Sequence, residues 1–128
     1  MEDIKKMIGG FSLDETIQKA IGKLEKLVED KSEALNTVNI AVNKFVELKN
    51  EYIVRSNELR ITTDFKEVLG LSKSATEKQQ QAYIDTELKE LLQEVRIAEE
   101  NVKSWKREVD LLNDKITVAK YQIKLLEN

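Results

Sequence analysis

IDTELKELLQEVRIAEENVKSWKREVDLLNDKITVAKYQIKLL, residues 84–126, decides the fold. Its apolar residues fall alternately four and three apart: Ile84, Leu88, Leu91, Val95, Ala98, Val102, Trp105, Val109, Leu112, Ile116, Ala119, Ile123 and Leu126. That succession has no polar interruption. It is a heptad repeat, and the helix it specifies carries an apolar seam that another helix must cover.

The partner lies upstream. Ser12 and Glu15 make a Ser-x-x-Glu capping box, which predicts a helix start, and helix 1 is expected over about 12–60. One apolar row there contains Ile17, Ile21, Leu24, Val28, Leu35, Val38, Val42, Phe45, Tyr52 and Leu59, broken by Lys31, Lys49 and Ser56. A second row, Ala20, Leu27, Ala34, Ala41 and Leu48, runs beside it at seven-residue spacing. Three apolar positions in seven suit a helix that touches more than one neighbour. Before it, residues 1–11 read as a separate N-terminal segment, with Met1, Ile4, Met7 and Ile8 on one face of a short amphipathic turn ended by Gly9 and Gly10.

Between the long helices, residues 61–74 read as a connector. Asp64 and Glu67 repeat the capping logic for a short helix over about 64–69, and Gly70 is placed to end it in a left-handed turn. Ile61, Thr62 and Thr63 are β-branched and resist helix, so helix 1 is expected to stop there; the alternative carries it unbroken to Gly70. Ser74 or Thr76 then caps helix 2, expected as one rod over about 75–126. The fold class is all-α: a long antiparallel helical hairpin of coiled-coil type, residues 12–128 forming one domain.

An antiparallel seam can be given a register. One assignment faces Phe45 with Val102, Val42 with Trp105, Val38 with Val109, Leu35 with Leu112 and Leu24 with Ile123. It also brings Arg60 near Asp85, Glu25 near Lys120 and Arg55 near Glu94, and sets Lys49 against Ala98. Shifts of one heptad either way preserve the seam. A lone hairpin leaves the second row of helix 1 wet, together with Leu111, Val118, Leu125 and Tyr121 on helix 2, and such strips mark association surfaces. A dimer with a four-helix-type bundle is therefore expected. Mostly β-branched a positions also suit a parallel pair through helix 2. The residues assigned to an oligomer or partner interface are Leu88, Val95, Val102, Trp105, Val109, Leu111, Leu112, Ile116, Val118, Ile123 and Leu125. As a seam residue Trp105 should be buried, its truncation to alanine costing about 3–5 kcal/mol.

The 128 residues include no proline, no cysteine and no histidine, and 35% are charged with a net charge of −3. Without cysteine there is no disulfide, thiolate site or thiol nucleophile; without histidine the commonest general base and the Ser-His-Asp arrangement are missing. GLSKS, residues 70–74, lacks the second glycine of a phosphate loop. Glu87, Glu90 and Glu94 share a face that reads as solvated rather than cation-binding. Lys103, Lys106 and Arg107 surround Trp105, which reads as a seam residue with a basic fringe. No catalytic, cofactor-binding or metal-ligating residue is assigned, and no cofactor. The near-neutral charge disfavours general nucleic-acid binding. No apolar run is long enough to span a membrane, and MEDIKKMIGGF lacks the apolar core of a secretory signal, so a cytoplasmic location is expected.

ELRITTDFKEVLGLSKSATEKQQQAYIDTELKELLQE, residues 58–94, with the later helix ending in KITVAKYQIKLLEN, resembles small coiled-coil proteins of phages and prophages of Gram-positive bacteria, over about the last 75 residues. The resemblance implies a place among early-region recombination or anti-host functions in a bacterial host cell. The expected function is non-enzymatic: protein–protein interaction that modulates a DNA-processing or defence protein. The alternative is a DNA-associated accessory of phage recombination or replication.

Overall fold

The computed structural model describes residues 13–128. Four helices account for nearly all of them: α1 (Leu13–Thr62), α2 (Phe65–Val68), α3 (Glu77–Glu87) and α4 (Lys89–Glu127), with no strand among the described residues. The architecture is an all-α helical hairpin in which α1 packs against α4. The expectations for residues 1–11 and for the Ser12 cap lie outside the described residues.

The helix ends follow local chemistry. α1 stops at Thr62, within the β-branched run, and Thr62 turns its hydroxyl back to the Glu58 carbonyl at 2.8 Å. Asp64 caps α2 by accepting the Glu67 N–H at 3.3 Å. Gly70 ends α2 at φ +64°, where a β-carbon is strained. The Gly70 N–H donates to the Glu67 carbonyl at 3.1 Å and the Leu71 N–H to the Lys66 carbonyl at 2.8 Å, the bond pair of a Schellman ending. Thr76, not Ser74, starts the next helix. Its hydroxyl accepts the Gln79 N–H at 3.2 Å, and Gln79 returns a bond to the Thr76 N–H at 2.9 Å.

The expected single rod of helix 2 is interrupted. Leu88, at φ −102° and ψ 23°, separates α3 from α4. Just before it the Thr86 hydroxyl donates to the Ala82 carbonyl at 2.9 Å, a back-bond of the kind that bends helices. A matching irregularity lies on α1. Its inward positions run Phe45, Leu48, Tyr52, Ser56 and Leu59, so two successive four-residue steps replace the usual alternation. An extra step of four locally unwinds a coil. Arg55, Glu58, Leu59 and Thr62 line one hollow with Glu87 and Leu88, so the two irregularities adjoin.

The chain divides into two compact units: a connector unit, residues 39–103, and a terminal unit, residues 13–38 with 104–128. In the connector unit Leu48 packs with Leu91, Val95 and Ala98, and Phe45 and Tyr52 pack against that group. Ile84 is fully enclosed, at 0% exposure. Phe65 of α2 meets the Tyr83 ring edge-on, with centroids 5.6 Å apart. In the terminal unit the buried residues are Ala34 and Val38 from α1 and Val109, Leu112, Ile116 and Ala119 from α4.

Two expectations about packing are corrected. The row Ala34, Ala41 and Leu48, expected to be wet, is buried, whereas Val28 and Leu35, placed in the seam, are 49% and 44% exposed. The buried row is apolar over five heptads and the other is broken by Lys49 and Ser56. Its alanines also let the backbone approach the bulkier α4 seam closely. The register moves with the row. Phe45 packs against the group containing Ala98, and it is Leu48, not the exposed Lys49, that packs with Ala98. Lys49 is exposed, its Nζ 5.7 Å from the Phe45 ring centre. In the terminal unit Thr16, Ala20 and Lys23 share a groove with Ala119, Gln122 and Leu126, which is also about one turn from the expected register.

Candidate interaction surface

The heptad slots of residues 84–126 are all buried or half-buried, so the seam is covered within the chain. The residues assigned to an interface divide by how far this seam covers them. Val95, Val102, Val109, Leu112 and Ile116 are buried; Leu88, Trp105 and Ile123 are half-buried. Leu111, Val118 and Leu125 remain 54%, 56% and 56% exposed. They stand at seven-residue spacing on the outer side of the seam, with exposed Tyr121 beside them. On α1 of the same unit, Val28 and Leu35 form the other exposed row, with half-buried Ile21 one heptad before.

The two rows differ in their surroundings. A helix advances about 100° per residue, so Lys19, Lys23 and Lys26 lie on one side of the α1 seam while Ile21, Val28 and Leu35 lie on the other. The lysine side is concave. One depression of about 620 Å³ is lined by Thr16, Lys19, Ala20 and Lys23 with Ala119, Gln122, Leu125 and Leu126. A second, of about 440 Å³, continues it with Lys26, Leu27, Asp114, Lys115 and Val118, the two sharing Lys23, Ala119 and Gln122. Lys26 pairs with Asp30 at 3.1 Å; that hydrogen bond, then the charges of Asp30 and Glu29, hold its ammonium above the usual lysine value. The lysine spacing, four then three beside the row Ala20–Leu27, was present in the sequence but not singled out.

A polar group sits in the connector unit. The Tyr52 hydroxyl donates to Asp85 Oδ1, and Gln81 Nε2 donates both to Asp85 Oδ1 at 2.8 Å and to the Tyr52 oxygen at 2.9 Å. Arg60 donates to Gln81 Oε1. Arg60 thus joins Asp85 through Gln81 rather than directly, and Arg55 pairs with Glu51 at 3.1 Å rather than with Glu94. Burial first, then donation to Asp85, raises the Tyr52 pKa above 10.0. Ser56 lies near enough to temper that rise, yet its Oγ, in a residue only 7% exposed, meets no partner at hydrogen-bonding geometry. Tyr52, Arg60, Gln81 and Asp85 bond to one another and clasp α1 to α3.

Among the described residues no cluster of three carboxylates is close enough to hold a metal ion, Glu87, Glu90 and Glu94 included. Lys103, in the fringe around Trp105, is paired with Glu99 at 3.7 Å and Glu100 at 3.5 Å. No described helix is long and apolar enough to cross a membrane. No family model, curated protein or solved structure matches the chain.

Proposed function

We propose that the chain is a non-enzymatic coiled-coil protein of phage or prophage origin that forms a dimer and works by binding another protein, modulating a DNA-processing or defence protein of phage or host. The observation that carries this reading is the regular exposure of Val28 and Leu35 on α1 and of Leu111, Val118 and Leu125 on α4 after the seam has been filled. Apolar residues repeated every seven positions on a solvated face mark a surface that another helix covers. The phage origin rests on the sequence resemblance alone.

The α1 row is the self-association face. Glu25 lies beside it on α1, and antiparallel packing sets Lys106 and Lys120 of α4 toward the same side. A face carrying both signs can match itself across a two-fold axis, giving a four-helix bundle from two hairpins. Sedimentation at micromolar concentration is expected to give a dimer. The pair Val28→Glu and Leu35→Glu is expected to give a monomer with unchanged helicity, because neither side chain is buried in the single chain. A wild-type monomer under those conditions refutes the dimer. Salt-sensitive retardation of DNA at physiological ionic strength would refute the protein-binding reading in favour of the DNA-associated one.

A further inference from the structure

The protein-binding reading leaves open what occupies the lysine-rimmed depression of the terminal unit. We propose that it docks a short acidic amphipathic helix from a protein partner. Three observations converge on that occupant. The lining includes the apolar residues Ala20, Leu27, Val118, Ala119, Leu125 and Leu126, with Val118 and Leu125 exposed on its α4 side. Lys19, Lys23, Lys26 and Lys115 stand around it, Lys26 paired with Asp30 at 3.1 Å, and among the described residues Asp114 is the acidic member of the lining. The depression extends along α1 from Thr16 to Leu27, about 16 Å or three helical turns. A partner helix laying two or three apolar residues on the floor would set its acidic flanks against the lysines, the helix-in-groove mode of recognition.

The charge pattern selects among occupants. A second copy docked through this same face by two-fold symmetry would set lysines against lysines, whereas the α1 row at Val28 and Leu35 carries no such conflict. A concave floor between two helices fits a rod better than a flat lipid surface. The division is therefore one flank for the second copy and one for the partner.

The probe is a fluorescein-labelled twelve-residue peptide with leucine at i, i+3, i+4 and i+7 and glutamate elsewhere, compared with its lysine counterpart, on the full-length protein. Fluorescence anisotropy is expected to show binding of the acidic peptide, weakening as ionic strength rises, and far weaker binding of the basic one. Lys23→Glu with Lys115→Glu is expected to weaken the acidic peptide about tenfold and to strengthen the basic one, a swap that misfolding cannot produce. Leu125→Asp should weaken both while helicity is retained. Equal affinity for the two peptides, no binding of either, or no effect of the charge reversal overturns the proposal. So does binding of anionic phosphatidylserine vesicles with indifference to the peptides. Residues 1–12 include Met1, Ile4 and Met7 with Glu2 and Asp3. If Ile4→Glu raised acidic-peptide affinity, the occupant would be the chain's own N-terminal segment and the proposal would fail. A monomer that still binds the acidic peptide sinks the dimer and leaves this groove standing; a dimer that ignores the peptide does the reverse.

Discussion

In the connector unit Ile84 is wholly enclosed, Leu48 sits among Leu91, Val95 and Ala98, and Phe65 closes on Tyr83 from a third element. In the terminal unit the α1 side of the buried core is reduced to Ala34 and Val38, and apolar rows on both helices stay about half exposed. The same kind of seam runs through both. What differs is the number of neighbours. Where α2 and α3 fold back, Ile84 and Phe65 find cover inside the chain, although Ile40, Val46, Ile53, Val54, Ile61, Val68 and Ile97 of the same unit stay 45% to 84% exposed; where two helices stand alone, no described side chain is as fully enclosed as Ile84. A two-helix seam can bury its a and d positions and little more, so apolar side chains flanking the seam stay uncovered in both units, and what sets the connector unit apart is its enclosed Ile84.

Deleting the enclosed side chain tests this contrast most severely. Ile84→Ala is expected to cost about 3–5 kcal/mol in urea denaturation, because the cavity it leaves has packed walls on every side. Trp105→Ala should cost less, about 2 kcal/mol, since the side chain is half-buried rather than buried as its seam position implied. If the two losses were equal, the terminal seam would be as well covered as the connector core and the contrast would fail.

The polar clasp sharpens the comparison further. Tyr52→Phe removes one donor and leaves Asp85 and Gln81 with each other, an expected loss of about 1 kcal/mol. Its pH dependence has a definite sign. Burial and Asp85 raise the phenol above 10.0, so the folded chain keeps a proton that the unfolded chain releases. That contribution is whole below about pH 10 and is lost as pH climbs through the folded-state value. Urea midpoints measured at rising alkaline pH should therefore fall more steeply for the wild type than for Tyr52→Phe. The smallest effect is a gain. Ser56→Ala removes a buried hydroxyl that has no partner, and stability should rise by up to about 1 kcal/mol. A loss of that size would mean the hydroxyl is satisfied after all.

Local chemistry was legible in residue order. Asp64, Gly70 and Thr76 do as caps and turn what their side chains permit, whatever surrounds them. The break at Leu88 was not legible, because the heptad pattern runs through it without a fault. It lies beside Arg55, Glu58 and Leu59 of α1, about thirty residues away in the chain, where the α1 spacing also departs from the heptad. The register went astray for a related reason. Two neighbouring rows on α1 both looked apolar, and average hydrophobicity pointed to Val28 and Leu35. Close packing against the α4 side chains preferred the row with alanines. Of the surface residues, Leu111, Val118 and Leu125 could be read from their spacing, whereas the lysine-rimmed groove needed the two helices set side by side.

Periodicity, caps and the scarcity of breakers determined by themselves that this chain is helical, where α1 ends, where α3 begins and where α4 ends to within a few residues, and which edge of α4 is hidden. Each depends on neighbours a few residues away. Only the tertiary structure decided which row of α1 faces that edge, where α4 parts from α3, and which apolar residues remain uncovered. Those outcomes turn on side-chain volumes meeting across helices, a fit between distant segments that residue order alone does not state.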